Sequence, residues 1–326
     1  RLKNEIKSKI SETVSETYIA KETNVSVHTV RRIIDDTTRL LKIKPLHDLP
    51  EHLCFDEFKS VKSSDSNMSF IICDSTTHKL VDVVRDRKSY SLKKYFHRFE
   101  PKTRLKVKTI SIDMYLPYIQ LIKEMFPNAK IIIDPFHIVQ ALNRELNRTR
   151  VRVMNKHRYK DSKLYRKLKH YWKLILKNPN ELQNYKYNRY KLFESFITSK
   201  GIVDYILENN PSLKNDYEVV HSPRECIQDR DYIEFKETIE AATQLDLSPG
   251  LKRVLKTLMT YLPYIQNTCE YPTRTNGPIE GINNKIKVLK RNAYGFRNYY
   301  YFRNRIILIT KMFGPKQKGI KQQLVA

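Results

Sequence analysis

The sequence predicts an α/β protein. Its centre is a mixed five-stranded sheet with helices on its faces, interrupted by a large all-helical insertion and preceded by a short helical module. Three observations predict this. Between residues 53 and 140, apolar runs of strand length alternate with helical stretches in a fixed order. From about 140 to 270 the strand-like runs vanish and the chain becomes rich in Lys, Arg and Tyr. Cations dominate throughout, with 61 Lys and Arg against 35 Asp and Glu, a formal +26.

Residues 1–45 read as helical. Tyr18 to Thr23 is expected as a first helix, Asn24–Ser26 as a turn with Ser26 as N-cap, and Val27 to Ile34 as a second helix. Ile19, Ala20, Val25, Val30 and Ile33 supply a small apolar core. This is the layout of a helix-turn-helix, in which His28, Thr29, Arg31 and Arg32 would face DNA. A structural helical hairpin is the alternative, because the turn lacks its frequent Gly.

Pro45 and Pro50 mark a linker. Three strands follow at 53–58, 68–74 and 79–86, separated by short polar loops and close enough to form an antiparallel meander. A helix is expected over 91–99, a fourth strand over 107–113, a helix over 115–126 and a fifth strand over 129–134. A further helix begins near Phe136. A three-strand meander followed by two βα units is the order of the ribonuclease-H-like fold. Expected domains are 1–45, the first part of the core at 46–140, the basic insertion at 141–270, the final core helices at 271–310 and a polar tail at 311–326. Within the insertion Pro211, Pro223 and Pro249 are expected to break helices. Its first residues interleave cations with Tyr159, Tyr165, Tyr171 and Trp172, which reads either as a phosphate-gripping surface or as solvated helices with aromatic cores.

Residues 275–291 carry an amphipathic helix. Asn276 is a preferred N-cap and Pro278 is tolerated in the first turn. Ile279, Ile282, Ile286 and Leu289 form one apolar stripe of a 3.6-residue period. Glu280, Asn283, Asn284, Lys287 and Arg291 lie off the stripe.

Composition narrows the classes. The positive field attracts a polyanion, most commonly nucleic acid, although a ribosome-like basic protein shares that charge. No apolar run approaches the roughly 20 residues of a membrane span. Cys54, Cys73, Cys226 and Cys269 are scattered with no CxxC pair, which suits a reducing, cytoplasmic (nucleoid-associated) setting and argues against a zinc knuckle. Neither GxxxxGK[ST] nor GxGxxG occurs, so a nucleotide-binding loop is not expected. The chain starts at Arg1 rather than Met, and a trimmed or partial chain is expected.

The acids suggest a chemistry. Asp56 on the first strand, Asp113 at the end of the fourth and Glu280 on the late helix converge if strands one and four are neighbours and 140–270 is an insertion. Carboxylates so grouped suit two hard Mg²⁺ or Mn²⁺ ions and phosphodiester chemistry. Glu57 would point to the opposite sheet face from Asp56. Asp74, Asp82 and Asp86 read as surface charges. Asp134 rivals Asp113: it also ends a strand, and it precedes His137 by three positions. Its alternative is to cap the helix that begins near Phe136.

PheAspGluPhe at 55–58, SerIleAspMetTyrLeuProTyr at 111–118, AspProPheHisIleVal at 134–139, the 275–291 helix and TyrGlyPheArgAsn at 294–298 together resemble the transposases of bacterial insertion sequences of the ISL-three group. These belong to the DDE superfamily of ribonuclease-H-like recombinases. The resemblance covers the chain from the helix-turn-helix to about residue 308. It implies Asp56, Asp113 and Glu280 as a catalytic, metal-binding triad for two Mg²⁺ (or Mn²⁺) ions, with Asp134 and His137 in an accessory role. It also implies double-stranded DNA as partner (terminal inverted repeats and target), a homodimer or larger assembly, and no membrane. Asn284, Lys287 and Arg291 are expected to touch phosphates. Family members usually carry an N-terminal zinc-binding module that is not seen here, in keeping with a partial chain. The alternatives are a DNA-binding regulator or decayed transposase without catalysis, against which the three intact acids argue, and a nuclease or resolvase that cleaves without joining.

Overall fold

The computed structural model describes residues 1–41, 48–61 and 67–310. Pro45 of the expected linker, residues 63–66 of the expected loop and the expected tail at 311–326 lie outside them. The chain forms two compact units, one built from residues 1–132 and the chain from Thr273 onward, the other from Ile133–Pro272.

The first unit opens with α1 (Leu2–Ile10), α2 (Glu16–Glu22) and α3 (Val27–Leu41). The Ser26 hydroxyl accepts the Thr29 N–H at 3.1 Å, which starts α3, and Asn24 takes the left-handed turn at φ 51°. Ile6, Ile10, Ile19, Ala20, Val30, Ile33 and Ile34 are buried together. α3 continues about two turns past Ile34, since nothing after that residue stops a helix.

The sheet follows the expected order. Its strands are β1 (His52–Lys59), β2 (Met68–Asp74) and β3 (Leu80–Val84), then β4 (Thr109–Ile112) and β5 (Lys130–Ile133), with α4 (Ser89–Phe96), α5 (Pro101–Leu105) and α6 (Leu116–Met125) between β3 and β5. α5, a single turn opened by Pro101, was not expected. The spatial order is β3-β2-β1-β4-β5. β1 runs antiparallel to β2 and parallel to β4, so the sheet is mixed. Side chains on β1 alternate between two cores. Phe55 faces an aromatic cluster, 5.1 Å from Phe70 and 5.5 Å from Phe96 between ring centroids. Cys54 and Phe58 face the other way, onto α14 (Gly277–Asn292) and α15 (Tyr299–Ile309), which return to this sheet after the second unit in sequence.

Asp74, Asp82 and Asp86 are not surface charges. Asp74 accepts the Thr76 N–H and the Thr77 hydroxyl, and Asp86 accepts the Ser91 hydroxyl. Asp82 holds Arg303 and the Tyr95 hydroxyl. Asp74 ends β2, Asp82 lies in the middle of β3 and Asp86 follows it, and each accepts donors that would otherwise be left unpaired.

Arg305 on α15 is fully buried, and its guanidinium donates to the carbonyls of Ile10, Glu12 and Val14 at 2.7, 3.0 and 2.7 Å. Burial pushes its pKa down to about 10, so it stays charged at neutral pH. Together with the Asn304–Asp35 hydrogen bond at 2.8 Å, it fastens the N-terminal helices to α15.

The second unit contains α7 (Pro135–His157), α8 (Ser162–His170), α9 (Trp172–Leu176), the short strand pair β6 (Asn188–Arg189) and β7 (Phe196–Ile197), and then α10 (Ser199–Glu208), α11 (Pro211–Asp229), α12 (Tyr232–Ala242) and α13 (Pro249–Glu270). Two expectations are corrected here. This stretch is not all helical, because β6 and β7 pair antiparallel. The expected boundary at 140/141 falls inside α7, which runs unbroken because no Gly or Pro follows Pro135 within it. Pro211 and Pro249 do open helices, but Pro223 lies buried inside α11. An interior proline costs about 3 kcal/mol, and the apolar face around it, including Leu213, Val220 and Ile227, offsets that cost.

His221 of α11 is buried, with Arg224 donating to Nδ1 at 2.9 Å. Arg has no acceptor, so Nε2 carries the proton and donates to the Ile175 carbonyl at 3.3 Å. Burial, with Arg224 beside it, pushes His221 down to about 4.

Two outcomes are expected. Arg305→Met leaves the buried Ile10 carbonyl and the part-buried Glu12 and Val14 carbonyls without their donor, at about 1–3 kcal/mol each. Thermal unfolding should show a loss of at least about 3 kcal/mol, and protease should cut between residues 10 and 15 well before it cuts the wild type. For His221 the folded pKa lies below the unfolded value near 6.5, so the unfolded chain binds the extra proton first. Its contribution is intact above pH 6.5 and is lost as pH falls toward 4, by up to about 3 kcal/mol. Urea unfolding at pH 7 and pH 4.5 should show that drop shrinking in His221→Gln.

Candidate active site

The site begins with strand register. Cys54 of β1 stands opposite Ser111 of β4 in the parallel pair. Two residues further along stand Asp56, on the same face of β1 as Cys54, and Asp113, one residue beyond the end of β4. Both are half-buried. Glu57 points to the opposite face, where Tyr118 donates to it and Arg87 pairs with it at 2.6 Å. Burial, with the Glu57 carboxylate beside it, pushes the Tyr118 phenol well above its usual range. Glu57 is therefore a structural acid.

The segment before α14 is strapped across the two strands. The Ser111 hydroxyl donates to the Arg274 carbonyl at 3.1 Å, and the Cys54 thiol to the Thr275 carbonyl at 3.4 Å. Asn276 stands at the N-cap position but does not cap with its side chain. Its Nδ2 donates instead to the Phe55 carbonyl and to Asp113 Oδ1, both at 3.2 Å. The expected capping role is therefore corrected, because the amide is claimed by β1 and by the acid beyond β4.

α14 is held by its stripe. Ile279, Ile282, Ile286 and Leu289 are all buried against β1–β3 and α15, each worth about 1.5–3 kcal/mol. Asn283, expected off the stripe among the solvent-facing polar residues, is buried at 8 % exposure. Its Nδ2 donates to Asp56 Oδ2 at 2.8 Å, while Asp56 Oδ1 accepts the Glu57 N–H at 2.7 Å. Helical spacing places Glu280, four residues after Asn276 and three before Asn283, on the same face of α14. Glu280 is exposed, as are Asn284, Lys287 and Arg291.

The oxygens of the half-buried Asp56 and Asp113 carboxylates are donors of the kind a hard divalent cation takes. The amide oxygens of Asn276 and Asn283 are buried with no hydrogen-bond partner, so the site holds polar capacity that the fold itself does not use.

Asp134 caps α7, accepting the Phe136 N–H at 3.2 Å, and His137 lies half-buried in that helix's first turn. Both belong to the second unit. His28 and Arg32 of α3 are exposed, whereas Thr29 is half-buried and bonded to Ser26 at 3.1 Å. Arg31 pairs with Glu16 at 2.8 Å and stacks over Tyr301 at 5.4 Å, so its guanidinium is engaged within the first unit. In the basic run, Arg150 is buried and donates to the Leu168 carbonyl at 2.9 Å, and Lys167 lies 4.0 Å from the Tyr205 ring centroid. Tyr171 is buried, whereas Tyr159 is 90 % exposed. The run is thus part scaffold and part surface.

Sequence reasoning missed the two amides and Lys290, which donates to the Lys59 and Ser60 carbonyls at 2.9 and 2.6 Å. A usable signal existed for Asn283: it lies four residues after Ile279 and three before Ile286, at the edge of the buried stripe.

A mixed five-stranded α/β sheet in the order β3-β2-β1-β4-β5, flanked by helices, is consistent with a ribonuclease-H-like core. A family described as transposases, the DDE class of the ISL-three group, matches residues 53–306, and the chain belongs to it. The transposase for insertion sequence element IS1001 of Bordetella parapertussis is 27% identical over 286 residues, 87% of this chain and 67% of that one. A Lactococcus lactis subsp. lactis protein described as an ATP-dependent protease is 36% identical over 130 residues, 40% of each chain. The chain therefore spans 40% and 67% of the lengths of these two relatives. Among the described residues no helix is long and apolar enough to cross a membrane.

Gly281, next to Glu280, costs α14 about 1 kcal/mol against Ala, and an added Cβ would meet nothing within 4 Å. Gly281→Ala should raise unfolding free energy by about 0.5–1 kcal/mol in urea titration; a loss instead would mean that α14 is not continuous there.

Proposed function

We propose that the chain is the DNA-cleaving and DNA-joining enzyme of an insertion sequence. The observation that carries this reading is that Asp56 of β1 and Asp113 just after β4 are each hydrogen-bonded by an amide, Asn283 of α14 and Asn276 at its N-cap, of the helix that bears Glu280. Asp56, Asp113 and Glu280 would hold two Mg²⁺ or Mn²⁺ ions. When bound, such ions activate the attacking oxygen and stabilise the leaving one.

In this reading water attacks the phosphodiester at each element end and frees a 3′-OH. That hydroxyl then attacks target DNA in a second in-line displacement. No protein side chain becomes joined to DNA. Lys287 and Arg291, exposed along α14, bind phosphate near the acids, and Asn284, hydrogen-bonded to Lys287 at 3.4 Å, adds a neutral contact. α2 and α3 act as a helix-turn-helix, with His28 and Arg32 as its exposed face and Thr29 and Arg31 supporting it. The basic second unit, an insertion in the core, grips flanking duplex. Asp134 and His137 act as accessories to the site. Two ends must be joined in one event, so the working form is a dimer or larger assembly, acting on DNA in the cytoplasm.

The test is cleavage of a labelled duplex carrying the element ends, with Mg²⁺, Mn²⁺ or EDTA. Metal-dependent nicks at a fixed position and joined products are expected, with Glu280→Gln lowering cleavage at least about a hundredfold while DNA binding persists. Tight binding without nicking in either metal would favour a non-catalytic DNA-binding protein, and nicking that never yields joined products would favour a nuclease.

A further inference from the structure

Both aspartates of the proposed triad are held by amides from one helix. Asn283 donates to Asp56 at 2.8 Å and Asn276 to Asp113 at 3.2 Å. Both side chains are more than nine-tenths buried, at 8 % and 4 % exposure. Seven positions separate them, two turns of α14, and Glu280 stands between them on the same face. We propose that Asn276 and Asn283 are positioning residues: they lock the two aspartates in register with Glu280, so that α14 sets the spacing of all three acids. This rests on the function proposed above.

Three features support it. The amides cost stability where they stand. Each leaves its carbonyl oxygen buried and unpaired, a penalty that a packed apolar side chain of the same shape would not carry. Local rules of that kind are broken where function compensates.

The residue type also fits. An amide N–H orients a carboxylate oxygen without bringing a charge. A Lys or Arg in its place would make a stronger bond, but its charge would oppose a divalent cation a few ångströms away. The second oxygen of Asp56 is turned by its own strand, through the Glu57 N–H at 2.7 Å, so both oxygens of that carboxylate are aimed.

The mounting is rigid. The four apolar residues of the stripe fix the helix to the sheet, and Lys290 ties its last turn to the Lys59 and Ser60 carbonyls. Asn276 is pinned a second time, by the Phe55 carbonyl at 3.2 Å. Outer-shell partners of this kind are worth about 10–100-fold in metal affinity.

The experiment compares wild type with Asn276→Leu and Asn283→Leu, using the full chain. Mn²⁺ binding is followed by electron paramagnetic resonance without DNA, unfolding in EDTA by calorimetry, and cleavage as a function of Mg²⁺. Each variant should unfold in EDTA at or above the wild-type temperature, bind Mn²⁺ about 10–100-fold more weakly, and regain much of its cleavage at high Mg²⁺. Folded variants that bind Mn²⁺ within twofold of wild type would overturn the positioning role and leave the triad standing. A wild type that neither binds Mn²⁺ nor cleaves would sink the functional reading itself. Should a Leu variant fail to fold, the matching Ala variant, which cannot overpack, makes the same comparison.

Discussion

The candidate site depends on the seating of one helix against one strand. α14 buries Ile279, Ile282, Ile286 and Leu289 on the face of the sheet that carries Cys54 and Phe58. Asp56 lies between those two residues on the same face of β1. The apolar contact that holds α14 therefore also delivers Asn276 and Asn283 to hydrogen-bonding distance of the acids. A half-turn rotation of the helix would bury its amides against Val83 and expose its isoleucines, at a cost of several kcal/mol. Hydrophobic burial, which has no direction of its own, here sets the geometry of a polar site.

Around that contact the first unit uses cations as structural parts. Arg305 gathers three carbonyls from the end of α1 and the segment that follows it. Arg303 meets Asp82 where Tyr95 also arrives. Lys290 closes on two carbonyls at the end of β1, those of Lys59 and Ser60, and burial lowers its pKa. A chain with a formal +26 has cations to spare, and long side chains with several donors satisfy backbone groups that loops would otherwise leave unpaired. The net charge thus overstates the charge available to a polyanion. Arg31 and Arg150 make the same point at sites that the sequence assigned or allowed to DNA.

Much of the fold was legible because its signals are local. Strand lengths, turn residues and the 3.6-residue stripe of residues 279–289 report directly on backbone preference and amphipathicity. The sheet's first and fourth strands were expected to be neighbours, and Leu53 pairs with Ile110. Glu57 was expected on the far side from Asp56, and Tyr118 and Arg87 meet it there. The misses were of another kind. Asp82 looked like a solvated charge because its partner Arg303 comes from distant chain, whereas Asp74 and Asp86 are held by turn donors two to five residues away. Pro223 looked like a helix stop because the packing that offsets it belongs to neighbouring helices.

By itself the sequence determined the α/β class, the strand order and the apolar stripe, since each is written in residue type and spacing along the chain. Only the tertiary structure decided which polar groups are partners. Asn276 read as a cap and became a bridge between Phe55 and Asp113, and Asn283 read as surface and became the buried partner of Asp56. The reason is physical. An amide has no periodicity to betray it, and its role depends on which donor or acceptor comes within about 3 Å, a distance set by elements more than 150 residues apart in the chain.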